Sequence, residues 1–342
     1  MRKIGILGAG TWGTALANML AKSGHQVTLW SRYEEEVRIL KETLCHKNLP
    51  GCALSKDIIF SCNMQEVCQK KDIVVFATPS IYIRDTAISA QPFLTSKQII
   101  VNVAKGIEAE TLLTMSEILE EVLGPTFNVV SLSGPTHAEE VAIGLPTLIV
   151  SACQNQKVAH IVQETFSNQT MRVYTNPDVK GVELSGALKN IIALAAGMSD
   201  GLGYGDNAKA AIITRGLVEI ARLGKAMGCH EKTFSGLAGI GDIVVTATSV
   251  HSRNHKAGYL LGQGHPLHQT LEEVGQVVEG LNALEAAKEL EAKYQVELPI
   301  INVVYEVVHD KLDVSRAVNK LFARQKRDEI KGVVYTEDDV MN

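Results

Sequence analysis

The sequence predicts an α/β domain built on a parallel sheet, followed by an all-α domain, and three features carry that prediction. The first is Lys3-Ile4-Gly5-Ile6-Leu7-Gly8-Ala9-Gly10-Thr11-Trp12-Gly13, an apolar strand that runs into a GxGxxG loop and then a helix former. The second is a train of short apolar runs separated by segments of helical length, the pattern of strands and helices alternating in a parallel sheet. The third is a change after Asn176-Pro177, where glycine-punctuated helical rhythm takes over. Together they describe a Rossmann-type domain with a helical partner. The boundary is expected between Pro177 and Ser185, giving residues 1–182, residues 183–330 and a polar tail over 331–342.

The elements follow in order. In the opening turn Gly8 permits the tight bend, Gly10 lets a pyrophosphate approach the backbone, and Gly13 lets the helix pack on the strand. The helix N-terminus then offers free N–H groups to phosphate. A second strand runs from Gln26 to Trp30 and ends in Ser31-Arg32. An NAD-selective site places an acid there, to hold the ribose 2′-hydroxyl. A serine beside an arginine leaves room and positive charge for a 2′-phosphate, so NADP(H) is expected to be accepted, with Arg32 as a solvated loop cation the competing reading. Glu34, Glu35 and Glu36 complicate the local charge.

Further strands are expected at Asp57 to Cys62, Ile73 to Thr78, Gln98 to Val103, Asn128 to Leu132, Thr147 to Ser151 and Met171 to Thr175. In the second half Ile213, Leu217, Ile220 and Met227 share one helical face, and Leu281, Leu284, Ala287 and Lys288 continue the rhythm. Ligands of open α/β sheets bind at the carboxyl ends of the strands, so a helical domain closing over that edge makes a cleft.

Composition narrows the function. The chain has 342 residues, 46% hydrophobic and 21% charged, enough for two ordinary globular domains. A net charge of −5 without a basic run argues against a nucleic-acid surface, so an anionic ligand needs a local cation cluster. The six cysteines form no CxxC pair and, with scattered histidines, no zinc spacing, so no metal is expected. They read as reduced thiols of a cytoplasmic protein. No apolar run approaches the ~18 residues of a membrane span.

Several polar residues sit where chemistry is expected. Lys189 lies in Gly186-Ala187-Leu188-Lys189-Asn190-Ile191-Ile192, an otherwise apolar helical run. Burial and nearby cations lower a lysine pKa and suit it to proton exchange with a carbonyl or alcohol oxygen. A lysine whose stem packs while its ammonium reaches water is the other open reading. Lys105 closes the fifth strand, and Ser133-Gly134-Pro135-Thr136-His137-Ala138 follows the sixth, both at the carboxyl edge. Gly236-Leu237-Ala238-Gly239-Ile240-Gly241-Asp242, with Thr246 one turn on, places a carboxylate able to orient a cationic lysine. Ser252-Arg253-Asn254 offers a guanidinium fork and amide donors suited to phosphate, or else a helix cap with a solvated arginine.

Taken in order, GxGxWG, VAKGIE, SGPT, GALKN, GxGD and SRN closely resemble the NAD(P)-dependent sn-glycerol-3-phosphate dehydrogenases of bacteria, from Lys3 to about Arg327. The resemblance implies a 6-phosphogluconate-dehydrogenase-like architecture, a homodimer, and reversible reduction of dihydroxyacetone phosphate to sn-glycerol 3-phosphate for phospholipid synthesis. It implies Lys189 as general acid/base, Lys105 polarising the carbonyl while touching substrate and cofactor, and Asp242 as partner of the catalytic lysine. Asn190 and Thr246 become supports, Arg253 and Asn254 phosphate ligands, and Ser252, Gly134 and Thr136 substrate neighbours. For NAD(H) or NADP(H) it implies Thr11, Trp12, Arg32, Lys105, Ala138, Arg253, Val277 and Glu279 beside the glycine loop. Hydroxyacyl-CoA, ketopantoate and 6-phosphogluconate dehydrogenases are similar in plan, but SRN and GxGD favour a small phosphate ester. A nucleotide sensor without turnover has no need of Lys189, Lys105 and Asp242.

Overall fold

The computed structural model describes residues 1–309, 312–326 and 328–329; the tail expected over 331–342 lies outside the described residues. The amino-terminal half alternates β1 (Lys3–Leu7), α1 (Thr11–Lys22), β2 (Gln26–Trp30), α2 (Glu34–Thr43), β3 (Ile59–Ser61), α3 (Met64–Cys68), β4 (Ile73–Phe76) and α4 (Ile83–Ala90). It continues through β5 (Ile99–Asn102), α5 (Met115–Leu123), β6 (Asn128–Ser133), α6 (Ala138–Ala142), β7 (Thr147–Ala152), α7 (Gln156–Phe166) and β8 (Met171–Asn176). The strands form one sheet in the order β3-β2-β1-β4-β5-β6-β7-β8. Its central strands are apolar on both sides, as in β4 and β5, where every residue is buried, because helices cover both faces. One core lies under α1 and α7, with Leu16, Leu20 and Phe166; the other lies under α4 and α5, with Phe76, Ile83 and Leu119.

The sheet is not parallel throughout, which corrects the sequence expectation. β7 pairs with β6 antiparallel, Leu132 opposite Ser151, and β8 then pairs with β7 in parallel. The cause is the connection. A parallel crossover needs a dozen or more residues and usually a helix long enough to return to the sheet's far edge. Between β6 and β7 the only helix is the five-residue α6, so the chain turns at the carboxyl edge and runs back. The 11-residue α7 does span the sheet, and β8 resumes the direction of β7.

The carboxyl-terminal half is helical: α8 (Val179–Gly201), α9 (Asp206–Ala226), α10 (Glu231–Phe234), α11 (Asp242–Thr248), α12 (Arg253–Gly262), α13 (Leu267–Val274), α14 (Glu279–Tyr294), α15 (Pro299–His309) and α16 (Val314–Phe322). The 23-residue α8 is buried from Gly181 to Ser199, so it is mostly apolar on every face and the other helices pack on it. Ile220 and Leu284 are fully buried in that core, with Ile213, Leu217, Met227 and Leu281 packed against it, as the helical spacing requires. Among the described residues no single helix is long and apolar enough to cross a membrane.

Candidate active site

A cleft of about 440 Å³ opens between the carboxyl edge of the sheet and the helical half. At one end lies the glycine loop. Gly8 has φ +121°, and a Cβ there would sit 2.8 Å from the Ala77 backbone. A Cβ on Gly13 would lie 2.0 Å from the Gly8 carbonyl oxygen, whereas one on Gly10 would meet nothing within 4 Å. The loop is therefore closed toward the protein and open toward the cleft. Gly10 caps α1 without a side-chain bond, and the first turn of α1 holds no acid, so its N–H groups stay available to an anion. These features fit the pyrophosphate of a dinucleotide.

A segment that sequence reasoning passed over, His46-Lys47-Asn48, braces this loop and lines the cleft. His46 Nδ1 accepts the Asn48 N–H at 3.1 Å, and the ring also bonds the Ala9 backbone. Burial holds the His46 pKa below its ordinary value, which suits a neutral ring with one acceptor and one donor nitrogen. Asn48 Nδ2 donates to Thr11 Oγ1 at 3.3 Å. No hydrophobic period runs through this stretch, and only its adjoining polar side chains hinted at a role.

At the other end two lysines converge on one acid. β5 stops at Asn102, and the loop beyond it folds back: the Ala104 N–H donates to Asn102 Oδ1 and Asn102 Nδ2 to the Ala104 carbonyl, each at 3.0 Å. That fold aims Lys105 across the cleft, where its Nζ donates to the Gly134 carbonyl at 2.9 Å and to Asp242 Oδ2 at 2.6 Å. Asn102 is itself anchored by Glu183 of α8, whose Oε1 accepts its Nδ2 at 2.7 Å and the Ser116 hydroxyl at 2.7 Å. Lys189 reaches the same Asp242 from α8, donating to Oδ1 and, at 2.5 Å, to Thr246 Oγ1. The Thr246 hydroxyl in turn donates a hydrogen bond to the Asp242 carbonyl at 2.7 Å.

Asp242 is wholly buried and Lys189 5% exposed, so the open question about Lys189 is decided against a lysine reaching bulk water. Burial is the largest influence on Lys189 and lowers its pKa to about 7, with Lys105 pushing the same way and Asp242 opposing both. Asp242 owes its place to the irregular turn Leu237–Gly241, where a Cβ on Gly239 would lie 1.9 Å from the Phe234 carbonyl oxygen.

Next to Lys189, Asn190 Oδ1 accepts Asn254 Nδ2 at 3.0 Å, and Asn254 Oδ1 accepts the Gly280 N–H at 2.9 Å. Ser252 caps α12 by accepting the His255 N–H at 3.1 Å. Arg253 stands exposed at the rim, and among the described residues no ion pair or hydrogen bond holds its guanidinium. Glu279, at the start of α14, bridges the halves by accepting the Ser80 N–H at 3.2 Å and its hydroxyl at 2.5 Å.

Of the residues singled out by sequence, Gly10, Thr11, Trp12, Lys105, Thr136, Ala138, Lys189, Asn190, Asp242, Thr246, Ser252, Arg253, Asn254, Val277 and Glu279 line the cleft. Gly8 and Gly13 form the side of the glycine loop that packs against the protein, and Gly134 presents its carbonyl to Lys105. Arg32 is exposed and stands outside the cleft lining, whereas Glu36, His137 and His251 are part of it. Among the described residues no group of three or more His, Cys, Asp or Glu side chains is placed to hold a metal ion.

Comparison with known proteins gives this geometry a family. The model of the NAD-dependent glycerol-3-phosphate dehydrogenase N-terminus matches residues 3–159, and that of its C-terminus matches residues 178–319. The chain belongs to the NAD-dependent glycerol-3-phosphate dehydrogenase family. It is 55% identical to glycerol-3-phosphate dehydrogenase [NAD(P)+] 2 of Lactobacillus delbrueckii subsp. bulgaricus, over 96% of this chain and 99% of that one. The solved glycerol-3-phosphate dehydrogenase of Coxiella burnetii superposes with a TM-score of 0.91 at 36% identity, covering 94% and 99% of the two chains. A ketopantoate reductase from Ralstonia eutropha shares the fold at a TM-score of 0.61 and 17% identity, with 92% and 99% covered. The chain is accordingly an oxidoreductase of an NAD(P)-dependent family, and its cleft has the open glycine loop at one end and the buried Lys189 at the other.

Proposed function

We propose that this chain catalyses the reversible reduction of dihydroxyacetone phosphate to sn-glycerol 3-phosphate with NADH or NADPH, with Lys189 as the proton carrier. The observation that carries the reading is the meeting of Lys105 and Lys189 on the buried Asp242. A reduced nicotinamide dinucleotide held by the glycine loop Gly8–Gly13 would supply the hydride for the carbonyl carbon. Lys189 Nζ gives its proton to the carbonyl oxygen as that oxygen gains charge, and the neutral amine is reprotonated from water; in oxidation it takes the proton back. Lys105, partly exposed to the cleft, polarises the same oxygen and offsets its negative charge. Asp242 and Thr246 fix the Lys189 ammonium so that its lost hydration is replaced by two acceptors.

The substrate phosphate is assigned to Arg253 and Asn254 at the N-terminus of α12, with Ser252, Gly134 and Thr136 nearby. A dianion entering a chain of net charge −5 needs focused cations, and Lys105, Lys189 and Arg253 supply them. Thr11, Trp12, Ala138, Val277 and Glu279 complete the dinucleotide site. We assign residues 1–182 to cofactor binding and residues 183–330 to substrate binding and proton transfer. The protein works in the cytoplasm as a homodimer, and its product feeds glycerophospholipid synthesis.

The test follows nicotinamide absorbance with purified protein and dihydroxyacetone phosphate, with NADH and NADPH in parallel. Rapid, substrate-dependent loss is expected. Folded protein that binds cofactor yet leaves dihydroxyacetone phosphate untouched would overturn the substrate assignment.

A further inference from the structure

At the end of the second strand of a dinucleotide-binding sheet, an acid holds the adenosine ribose of NAD. Ser31 occupies that position and is 3% exposed. Its Oγ accepts the Tyr33 N–H at 3.1 Å and donates its proton to Glu36 Oε2. Glu36 belongs to the first turn of α2 and lines the cleft together with Gly10, Thr11 and His46. The serine thus does not leave the site without a carboxylate; it pins one that arrives from the next helix. Among the described residues, Glu36 Oε1 makes no hydrogen bond or ion pair and stays free to accept one.

The cations nearby are disposed otherwise. Arg32 is exposed and outside the cleft lining. Arg38 is turned along the outer face of α2, bound to Glu35 at 2.6 Å and to Glu42 at 2.9 Å. Lys47 does line the cleft, but it is an exposed side chain with no partner fixing it among the described residues. The cleft lining here thus combines a carboxylate held by Ser31 with an exposed ammonium that no partner fixes among the described residues. A ribose 2′-hydroxyl can donate to Glu36, whereas a 2′-phosphate meets like charge with no fixed cation to compensate.

We infer that Glu36, held by Ser31, sets the cofactor preference of this chain and makes it favour NADH over NADPH. The inference rests on the reading that the cleft binds a nicotinamide dinucleotide, and it goes beyond the acceptance of NADP(H) that Ser31-Arg32 suggests in the sequence by ranking the two cofactors.

The experiment is a fluorescence titration of the full-length protein with NADH and with NADPH, without substrate, on wild type, Glu36→Gln and Glu36→Ala. Competition by ADP-ribose and by its 2′-phosphate repeats the comparison without the nicotinamide end. Wild type is expected to bind the forms lacking the 2′-phosphate more tightly. Each substitution should shift the ratio of dissociation constants toward the phosphorylated forms by about tenfold, the effect of removing one charge at short range in a partly solvated site. A wild-type preference for NADPH, or a ratio unchanged in both variants, overturns the role of Glu36. Folded wild type that binds none of these ligands overturns the dinucleotide reading itself.

Discussion

Lys189 is a buried lysine paired with Asp242 and Thr246, and its proposed role as proton carrier makes definite predictions. Its stem lies in the apolar α8, its ammonium has two acceptors and almost no water, and burial brings its pKa to about 7. Reduction needs the protonated amine and oxidation the neutral one. In the free enzyme, kcat/KM for dihydroxyacetone phosphate reduction should therefore fall as pH rises through about 7, and that for glycerol 3-phosphate oxidation should rise. A bound phosphate dianion favours the charged amine, so the same limb in kcat moves to higher pH. Lys189→Ala should lose turnover by ~100-fold while a cofactor titration stays unchanged. A pH profile flat through neutrality, or equal loss of cofactor binding, would remove Lys189 from proton transfer. The same shift acts on stability. The unfolded lysine titrates at 10.5 and the folded one at about 7, so its contribution is present above 10.5 and lost as pH falls through 7. The sequence exposed the anomaly, a lone cation in an apolar run, but not its resolution, because Asp242 is 53 residues away and only the fold brings it near.

At the scale of elements, the end of the cleft proposed to hold the substrate phosphate depends on how closely α12 crosses α8. Each helix carries glycines one turn apart, Gly197 and Gly201 on α8, Gly258 and Gly262 on α12. A Cβ on Gly258 would lie 2.1 Å from the Leu194 carbonyl oxygen, and one on Gly197 would lie 2.1 Å from that of His255. These are backbone atoms that cannot swing aside, so a methyl group must separate the helices. Gly258→Ala should destabilise the protein by about 1–3 kcal/mol, the usual cost of overpacking a core. It should also raise KM for dihydroxyacetone phosphate, because α12 carries Arg253 and Asn254 beside Asn190 of α8. Gly205, before α9, has open space around its missing Cβ, and Gly205→Ala is the matched control. Equal melting temperatures for the two variants would show that the close crossing does not matter. Glycine-punctuated helices were legible in the sequence, but their pairing was not, since glycine spacing within one helix does not identify the helix opposite. The direction of β7 was hidden for a similar reason: its apolar pattern is the same in either direction, and only the brevity of α6 decides.

At the scale of the whole molecule, the cleft exists because the two halves are bolted together on either side of it. Glu279 takes both donors of Ser80 on one side. On the other, Glu183 of the helical half is sunk into the sheet domain, where Asn102 Nδ2, the Ser116 N–H and the Ser116 hydroxyl all donate to it. Burial pushes the Glu183 pKa up, and these hydrogen bonds oppose that push. The order of motifs along the chain made the two halves and about half of the cleft-lining residues legible, whereas Glu183 stood unremarked three residues before the GALKN motif. Nothing in local spacing distinguishes a buried anchor from a solvated glutamate. Its role as a positioning residue has a definite signature. Glu183→Ala strands three buried donors, a loss of about 3 kcal/mol or more, and should lower the melting temperature accordingly. Because Asn102 also folds the loop that aims Lys105, the variant should lose kcat as well, measured below its melting transition. Ser116→Ala, which removes one donor and leaves Glu183 and Asn102 joined, should lose stability but keep kcat. If Glu183→Ala also keeps kcat, the anchor serves stability alone, and Lys105 is positioned by Asp242 and Gly134 without help from the far side of the sheet.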